Sequence, residues 1–395
     1  MAIKKPKTFD GRYGGATTDE REMQAIIKSI YKSNKTGNWQ TASEAKKMEE
    51  EAAKFLGVKY GILTTSGSCA GLLALASLEL PRGSEVIISA VTFPTIFNII
   101  LQCGLIPVVV DARVGTYNFN VDEVERAITN KTKAIIAIHA LGNPVDMPKL
   151  MKMAKKYNVK VIEDNCDGWG SAINSKLVGS FGDVSITSFH AAHIVSMGVG
   201  GGVFTNDKVL AQKVRMYRDW GRQADLNVSE NKKWKSLPTD YNPRFIYEKI
   251  GYNFQVLELQ AAMGRVQLRK ADKIKRLRKK NFDYLCEGLL SFQNDLIFPY
   301  SVEGADVCWF SLPLTTTGNR GKLLRHLEKH GLETRPMFAG NITKHPSYKD
   351  SKYRVSGELG QANYILKHSF WITCHPRLKK VDMDYIIKIF KKYYV

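Results

Sequence analysis

Tyr60-Gly61-Ile62-Leu63-Thr64-Thr65-Ser66-Gly67-Ser68-Cys69-Ala70 is the stretch on which the fold turns. Tyr60 to Leu63 reads as a short buried strand, Thr64 to Ser68 as a turn of small polar residues, and Ala70 to Leu78 as the helix that follows. The first N–H groups of a helix have no partner inside it, and a glycine at the turn lets a ligand approach the backbone. A strand, a small-residue turn and a helix in that order therefore form an anion cradle. The same Ser66-Gly67-Ser68 also serves as an ordinary turn and N-cap.

Outward from this unit the pattern repeats. Glu85–Ser89, Ile106–Val110, Ala134–His139, Val159–Glu163 and Val184–Ser188 are short β-branched runs that read as further strands. Thr41–Leu56, Val121–Ile128, Met147–Tyr157 and Asp207–Tyr217 carry the spacing of helices between them. Such alternation implies an α/β fold with a large, mixed, mostly parallel sheet covered by helices on both faces. Ligands collect at the carboxyl ends of such strands. The residues able to do chemistry fall there: Ser66-Gly67-Ser68, Phe93, Asp164 and His193. A long helix is expected from Val256 to Cys286. It divides a cofactor-binding domain with an N-terminal arm (1–255) from a smaller C-terminal α+β domain (256–395). Residues 224–245 are polar and read as an irregular excursion.

Composition narrows the partners. Fifty-eight basic against thirty-eight acidic residues leave a net charge of +20, which suits an anionic small molecule. The densest basic run, Arg269 to Lys280, is interleaved with Ile274 and Leu277 as on one face of a helix, and no nucleic-acid-binding module accompanies it. Nucleic acid is not expected as a partner. Nor is a membrane, since no apolar run approaches the roughly 18–20 residues of a span. The basic N-terminus leads into Asp10 and Gly11 rather than an apolar signal segment, so a cytoplasmic location is expected. The six cysteines, Cys69, Cys103, Cys166, Cys286, Cys308 and Cys374, are too scattered for a disulfide framework or a local metal motif. No metal site is expected.

Two further segments carry chemistry. Glu163-Asp164-Asn165-Cys166-Asp167 closes a strand with carboxylates, where an aspartate could hold a pyridine nitrogen protonated or simply cap a helix. Ser188-Phe189-His190-Ala191-Ala192-His193-Ile194-Val195-Ser196-Met197-Gly198-Val199-Gly200-Gly201-Gly202 is a glycine-rich loop with two histidines. This loop resembles the cofactor-anchoring segment of the DegT/DnrJ/EryC1/StrS sugar aminotransferases. Gly251-Tyr252-Asn253-Phe254-Gln255 with Glu258-Leu259-Gln260-Ala261-Ala262 resembles that family's GYNYR…ELQAA segment. The resemblance covers nearly the whole chain. It implies a pyridoxal phosphate (PLP)-dependent fold-type I architecture, like that of aspartate aminotransferase.

In that family the residue at position 193 is the lysine that forms the Schiff base with PLP. Histidine cannot make that bond but moves protons near neutral pH. The exchange is the mark of the family's nucleotide-sugar 3-dehydratase branch. Met197-Gly198, the Glu163–Asp167 segment in place of EDAAQ, and Gly331 to Asn341 also resemble that branch; Val199 departs from the commonly acidic residue. The resemblance makes His193 the acid/base. It places Gly67, Ser68 and Ser188 at the cofactor phosphate, with Asn253 reaching it from the other subunit of a homodimer. Phe93 would stack on the ring, Asp164 pair with its nitrogen, and Asp167 lie near its hydroxyl. Arg335, Asn341 and His345 are the candidates for substrate contacts.

One kind of 3-dehydratase carries a [2Fe–2S] cluster on cysteines after an Arg-Asp-Trp-Gly-Arg stretch. This chain has Arg218-Asp219-Trp220-Gly221-Arg222, but Gln223-Ala224-Asp225-Leu226-Asn227-Val228 follows, without cysteine. The expected reaction is therefore cluster-free C3 dehydration of a nucleotide-linked 4-keto-6-deoxyhexose by pyridoxamine phosphate (PMP), with L-glutamate restoring PMP from PLP. Two alternatives stand beside it: an aminotransferase that tolerates the exchange, and an inactive nucleotide-sugar-binding homologue.

Overall fold

The structure, a computed structural model, describes residues 5–7, 9–222, 236–238 and 240–395. The expected excursion at 224–245 lies largely outside the described residues. Eight strands form the large sheet, in the spatial order Tyr60–Thr64, Gly201–Thr205, Val184–Ser188, Lys160–Asp164, Thr132–Ile138, Glu85–Ser89, Ile106–Val110 and Arg354–Val355. Neighbouring strands from Val184–Ser188 through to Arg354–Val355 pair in parallel. Gly201–Thr205 runs antiparallel to both its neighbours. These strands are almost wholly buried on both faces, which is why they read as unbroken apolar runs.

Helices Gly67–Ser77, Pro94–Gln102 and Lys208–Arg218 cover one face, and Val121–Ala127 with Met147–Tyr157 the other; each face has its own apolar core. The long helix runs from Glu258 to Leu289. Glu258 accepts the N–H groups of Ala42, Glu44 and Ala45, so the start of Ser43–Leu56 is capped by a distant carboxylate. The far end of the long helix joins a second core with the antiparallel sheet of Leu296–Ile297, Leu312–Thr316, Ser369–Ile372 and Arg335–Pro336 and the C-terminal helix Lys380–Tyr394. The C-terminal segment also returns to the large sheet, where Arg354–Val355 is its outermost strand.

The helix Glu20–Thr36, which the hydrophobic pattern does not announce, is inside out. It buries Glu22, Ser29 and Ser33 against the long helix, while Met23, Ile27, Ile30 and Tyr31 are exposed. Its start is nonetheless written locally: Asp19 and Glu22 form a capping box, and Gly37 closes it in the left-handed conformation. Among the described residues no helix is long and apolar enough to cross a membrane.

Candidate active site

The site lies at the carboxyl ends of the central strands. Ser66 caps Gly67–Ser77 by accepting the Cys69 N–H at 3.1 Å. That leaves the Gly67 and Ser68 N–H groups at the tip of the helix, without intrahelical partners. The Ser68 hydroxyl is 2.9 Å from that of Thr95, in the first turn after Phe93. Ser188 stands against the same turn: a Cβ on Gly67 would lie 2.6 Å from the Ser188 Cβ. A Cβ on Gly201 would lie 2.2 Å from the Ser66 carbonyl oxygen. Glycine at both positions lets three backbone segments converge on one small polar cup. Thr95 belongs to that cup, and sequence reasoning passed over it because it follows Pro94 inside an apolar helix. Phe93, 58% exposed, stands beside the cup.

Asp164 ends its strand buried, its carboxylate accepting the Cys166 N–H at 3.1 Å. Burial pushes its pKa up. Asp167 is pushed up to about 7, by burial first and then by the Asp164 charge. Burial disfavours the charge on both carboxyl groups, so a cation such as a pyridinium N–H beside Asp164 would be favoured there. Behind Asp164 the buried His139 meets Glu163 at 3.2 Å, and its Nδ1 accepts the Val145 N–H. The His139 Nε2 therefore carries the proton and donates it to Glu163.

His193 sits in the hairpin loop between Val184–Ser188 and Gly201–Thr205. The loop is closed by Phe189 N–H to Gly200 O, Met197 N–H to Phe189 O, and His193 N–H to His190 O. The His193 Nδ1 is 3.0 Å from the Ser188 carbonyl oxygen. A carbonyl only accepts, so Nδ1 carries the proton and the neutral ring presents a lone pair at Nε2. Nε2 lies 3.6 Å from the Asp167 Oδ1, within ion-pair range and beyond a hydrogen bond. Desolvation lowers the His193 pKa to about 4, with nearby His190 and Arg278 adding to the effect. Between about 4 and 7 the two side chains thus share one proton beyond the one on Nδ1.

A row of rings leads away from His193. Phe310 meets it edge-on at 5.5 Å, Trp371 meets Phe310 at 5.7 Å, and Tyr13 meets Trp371 at 5.2 Å. The Arg335 guanidinium lies over the Tyr13 ring at 4.6 Å and pairs with Glu333, which also accepts the Tyr13 N–H. Tyr13, Phe310 and Trp371 lack a motif, and only the fold brings them to the site. Asn341 is buried; its Oδ1 accepts from Thr343 N–H and hydroxyl, and its Nδ2 donates to Asn363. His345 donates from Nε2 to the Ala339 carbonyl at 2.8 Å. Both hold together the loop whose Ala339 and Ile342 N–H groups bond Thr92 O and Ala90 O, next to Phe93. Asn253 is exposed, on a segment tied to its own chain by Thr65 N–H to Phe254 O and Trp220 N–H to Tyr252 O.

The chain belongs to the DegT/DnrJ/EryC1/StrS aminotransferase family, matched over residues 19–391. It is 38% identical to the lipopolysaccharide biosynthesis protein RfbH of Salmonella typhimurium, over 88% of this chain and 84% of that one. It is 34% identical to the dTDP-4-dehydro-2,6-dideoxy-D-glucose 3-dehydratase of Saccharopolyspora spinosa, over 95% of this chain and 85% of that one. The structure of a GDP-4-keto-6-deoxymannose-3-dehydratase with a trapped PLP–glutamate geminal diamine superimposes with a TM-score of 0.87 at 26% identity, covering 96% of this chain and all of that one.

Proposed function

We propose that this chain removes the C3 hydroxyl of a nucleotide-linked 4-keto-6-deoxyhexose with PMP as its working cofactor. The observation that carries the reading is the geometry of His193, the residue that the sequence resemblance sets at the family's lysine position: its Nδ1–H is held by the Ser188 carbonyl, which leaves Nε2 to take a proton. The glutamate adduct in the related dehydratase supports L-glutamate as the donor that restores PMP from PLP.

The bound cofactor supplies the amine that condenses with the C4 ketone and a ring that accepts an electron pair. Gly67 and Ser68 N–H, with the hydroxyls of Ser68, Thr95 and Ser188, hold its phosphate. Asp164 keeps the ring nitrogen protonated, Phe93 covers the ring, and Asp167 serves its hydroxyl side while facing Nε2. With the cofactor bound, the His193 Nε2 would accept a proton and return it to the departing C3 oxygen of the substrate, which would leave as water. Arg335 remains the candidate for an anionic or hydroxyl group of the substrate.

The change from C3–OH to C3–H needs two electrons. Glutamate supplies them and ends as 2-oxoglutarate, while its nitrogen leaves as ammonia. The exposed Met23, Ile27, Ile30 and Tyr31 form an apolar stripe that supports a homodimer, in which Asn253 would reach the other subunit's phosphate cup.

An absorbance spectrum of the protein with PLP, before and after excess glutamate, tests the cofactor assignment. The reading expects free-aldehyde PLP converted to the near-ultraviolet band of PMP. A visible band from a lysine-bound cofactor, unchanged by glutamate, would overturn it.

A further inference from the structure

Arg278, on the long helix, is among the most deeply buried side chains of the chain, at 1% exposure. Buried guanidinium groups are normally matched by carboxylates. Among the described residues Arg278 has no such partner within ion-pair distance. Its Nη1 donates to the Phe310 carbonyl and its Nη2 to the Ala192 carbonyl at 3.5 Å, while Nε has no partner. The guanidinium also lies over the Phe310 ring, 5.4 Å from its centre. Both residues it holds touch His193. Ala192 precedes it in the loop, and the Phe310 ring packs edge-on against the imidazole.

We infer that Arg278 is a positioning residue for His193: it clamps the loop from behind, through the Ala192 carbonyl and Phe310, and sets a fixed positive charge near the imidazole. A second positive charge on His193 is then costly, so the ring stays available as a base. The other groups facing His193 are Asp167, on the turn after Lys160–Asp164, and His190, on its own loop; Asp164 and Cys166 stand beside Asp167. Asp167 pulls in the opposite sense to Arg278, and the guanidinium charge also favours the ionised form of Asp167. The inference rests on the proton-moving role proposed for His193, and the test separates the two.

The measurement is the titration of the His193 imidazole by NMR, in the cofactor-free full chain with labelled histidine, assigned by its loss in His193→Asn. Arg278→Met keeps much of the volume and removes the charge. It should move the His193 midpoint upward by roughly half a unit or more, as loss of one nearby charge does. In the loaded enzyme kcat should fall about tenfold with KM little changed. Arg278→Lys should keep the low midpoint yet lose turnover, because one ammonium cannot reproduce the fork that spans two carbonyls. If Arg278→Met does not fold, Arg278→Gln gives the same reading with a retained donor. An unchanged midpoint in the neutral variants would overturn the inference, as would a shifted midpoint with turnover untouched. Failure of the His193 assignment itself would show differently, as dehydration that survives in His193→Asn.

Discussion

The two ends of the site are built by different physics. At the end proposed for the cofactor phosphate, backbone predominates: a helix tip, two glycines that admit close approach, and the hydroxyls of Ser68, Thr95 and Ser188. At the acid/base end, side chains do it, and burial sets their protonation: His193 is driven down and Asp164 and Asp167 up. The first end is proposed to hold the cofactor phosphate. The second carries His193, which the sequence resemblance sets at the family's lysine position. Identity of reaction is therefore to be sought within a few ångströms of the His193 Nε2, while the rest of the cradle decides only whether the cofactor stays.

The largest effect expected on this comparison comes from His193. His193→Asn should cut C3 dehydration by about 10²–10⁴-fold, the range of a positioned acid/base, and leave cofactor uptake nearly intact. His193→Lys should replace PMP chemistry by a covalently held cofactor and abolish dehydration; undiminished dehydration would sink the assignment. At the other end, Gly67→Ala should do the reverse. Its Cβ would meet the Ser188 Cβ at 2.6 Å, costing about 1–3 kcal/mol as overpacking does, so PLP affinity and thermal stability should both fall. Equilibrium dialysis and a melting curve read this, and unaltered affinity would show the cup to be misplaced.

The strand–turn–helix at Ser66-Gly67-Ser68 was legible in the sequence as local structure, but an ordinary turn and N-cap reads the same way, and only the family resemblance pointed to a phosphate there. The parallel strands were legible because strands buried on both faces are short β-branched runs. Gly201–Thr205 escaped, since its glycines read as loop, yet these glycines are what allow it to close on Ser66. Glu20–Thr36 escaped because its apolar residues face away from the chain's own core. Pro94–Gln102 escaped because it is a short run of nine residues, too brief for its polar positions Thr95, Asn98 and Gln102 to establish a period. At the acid/base end, His193 and the carboxylates had motifs. Arg278, Phe310, Trp371 and Tyr13 had none, being brought together from separate elements, Tyr13 from the far end of the chain.

A smaller effect concerns pH. The His193 pKa is lowered, so its neutral form persists far below the ordinary histidine range, and dehydration should decline on the acid side only near pH 4. A decline near 6.5 would mean an imidazole in ordinary solvation. For Asp167 the folded value lies above the unfolded one, so its contribution to stability is fully present below about pH 3.8 and is lost as pH rises through about 7. Asp167→Asn should remove that fall, flattening the denaturation midpoint between pH 4 and 7. The smallest effect is expected from Ser68→Ala, where loss of one hydroxyl from a shared cup should weaken PLP by about 1 kcal/mol.

The most direct test of the account is the stoichiometry of the reaction on a nucleotide-linked 4-keto-6-deoxyhexose with glutamate, followed by ammonia and 2-oxoglutarate assays and mass analysis of the sugar. The account predicts one ammonia and one 2-oxoglutarate for each sugar that has lost its C3 oxygen. An amino sugar formed with 2-oxoglutarate but without free ammonia would contradict it.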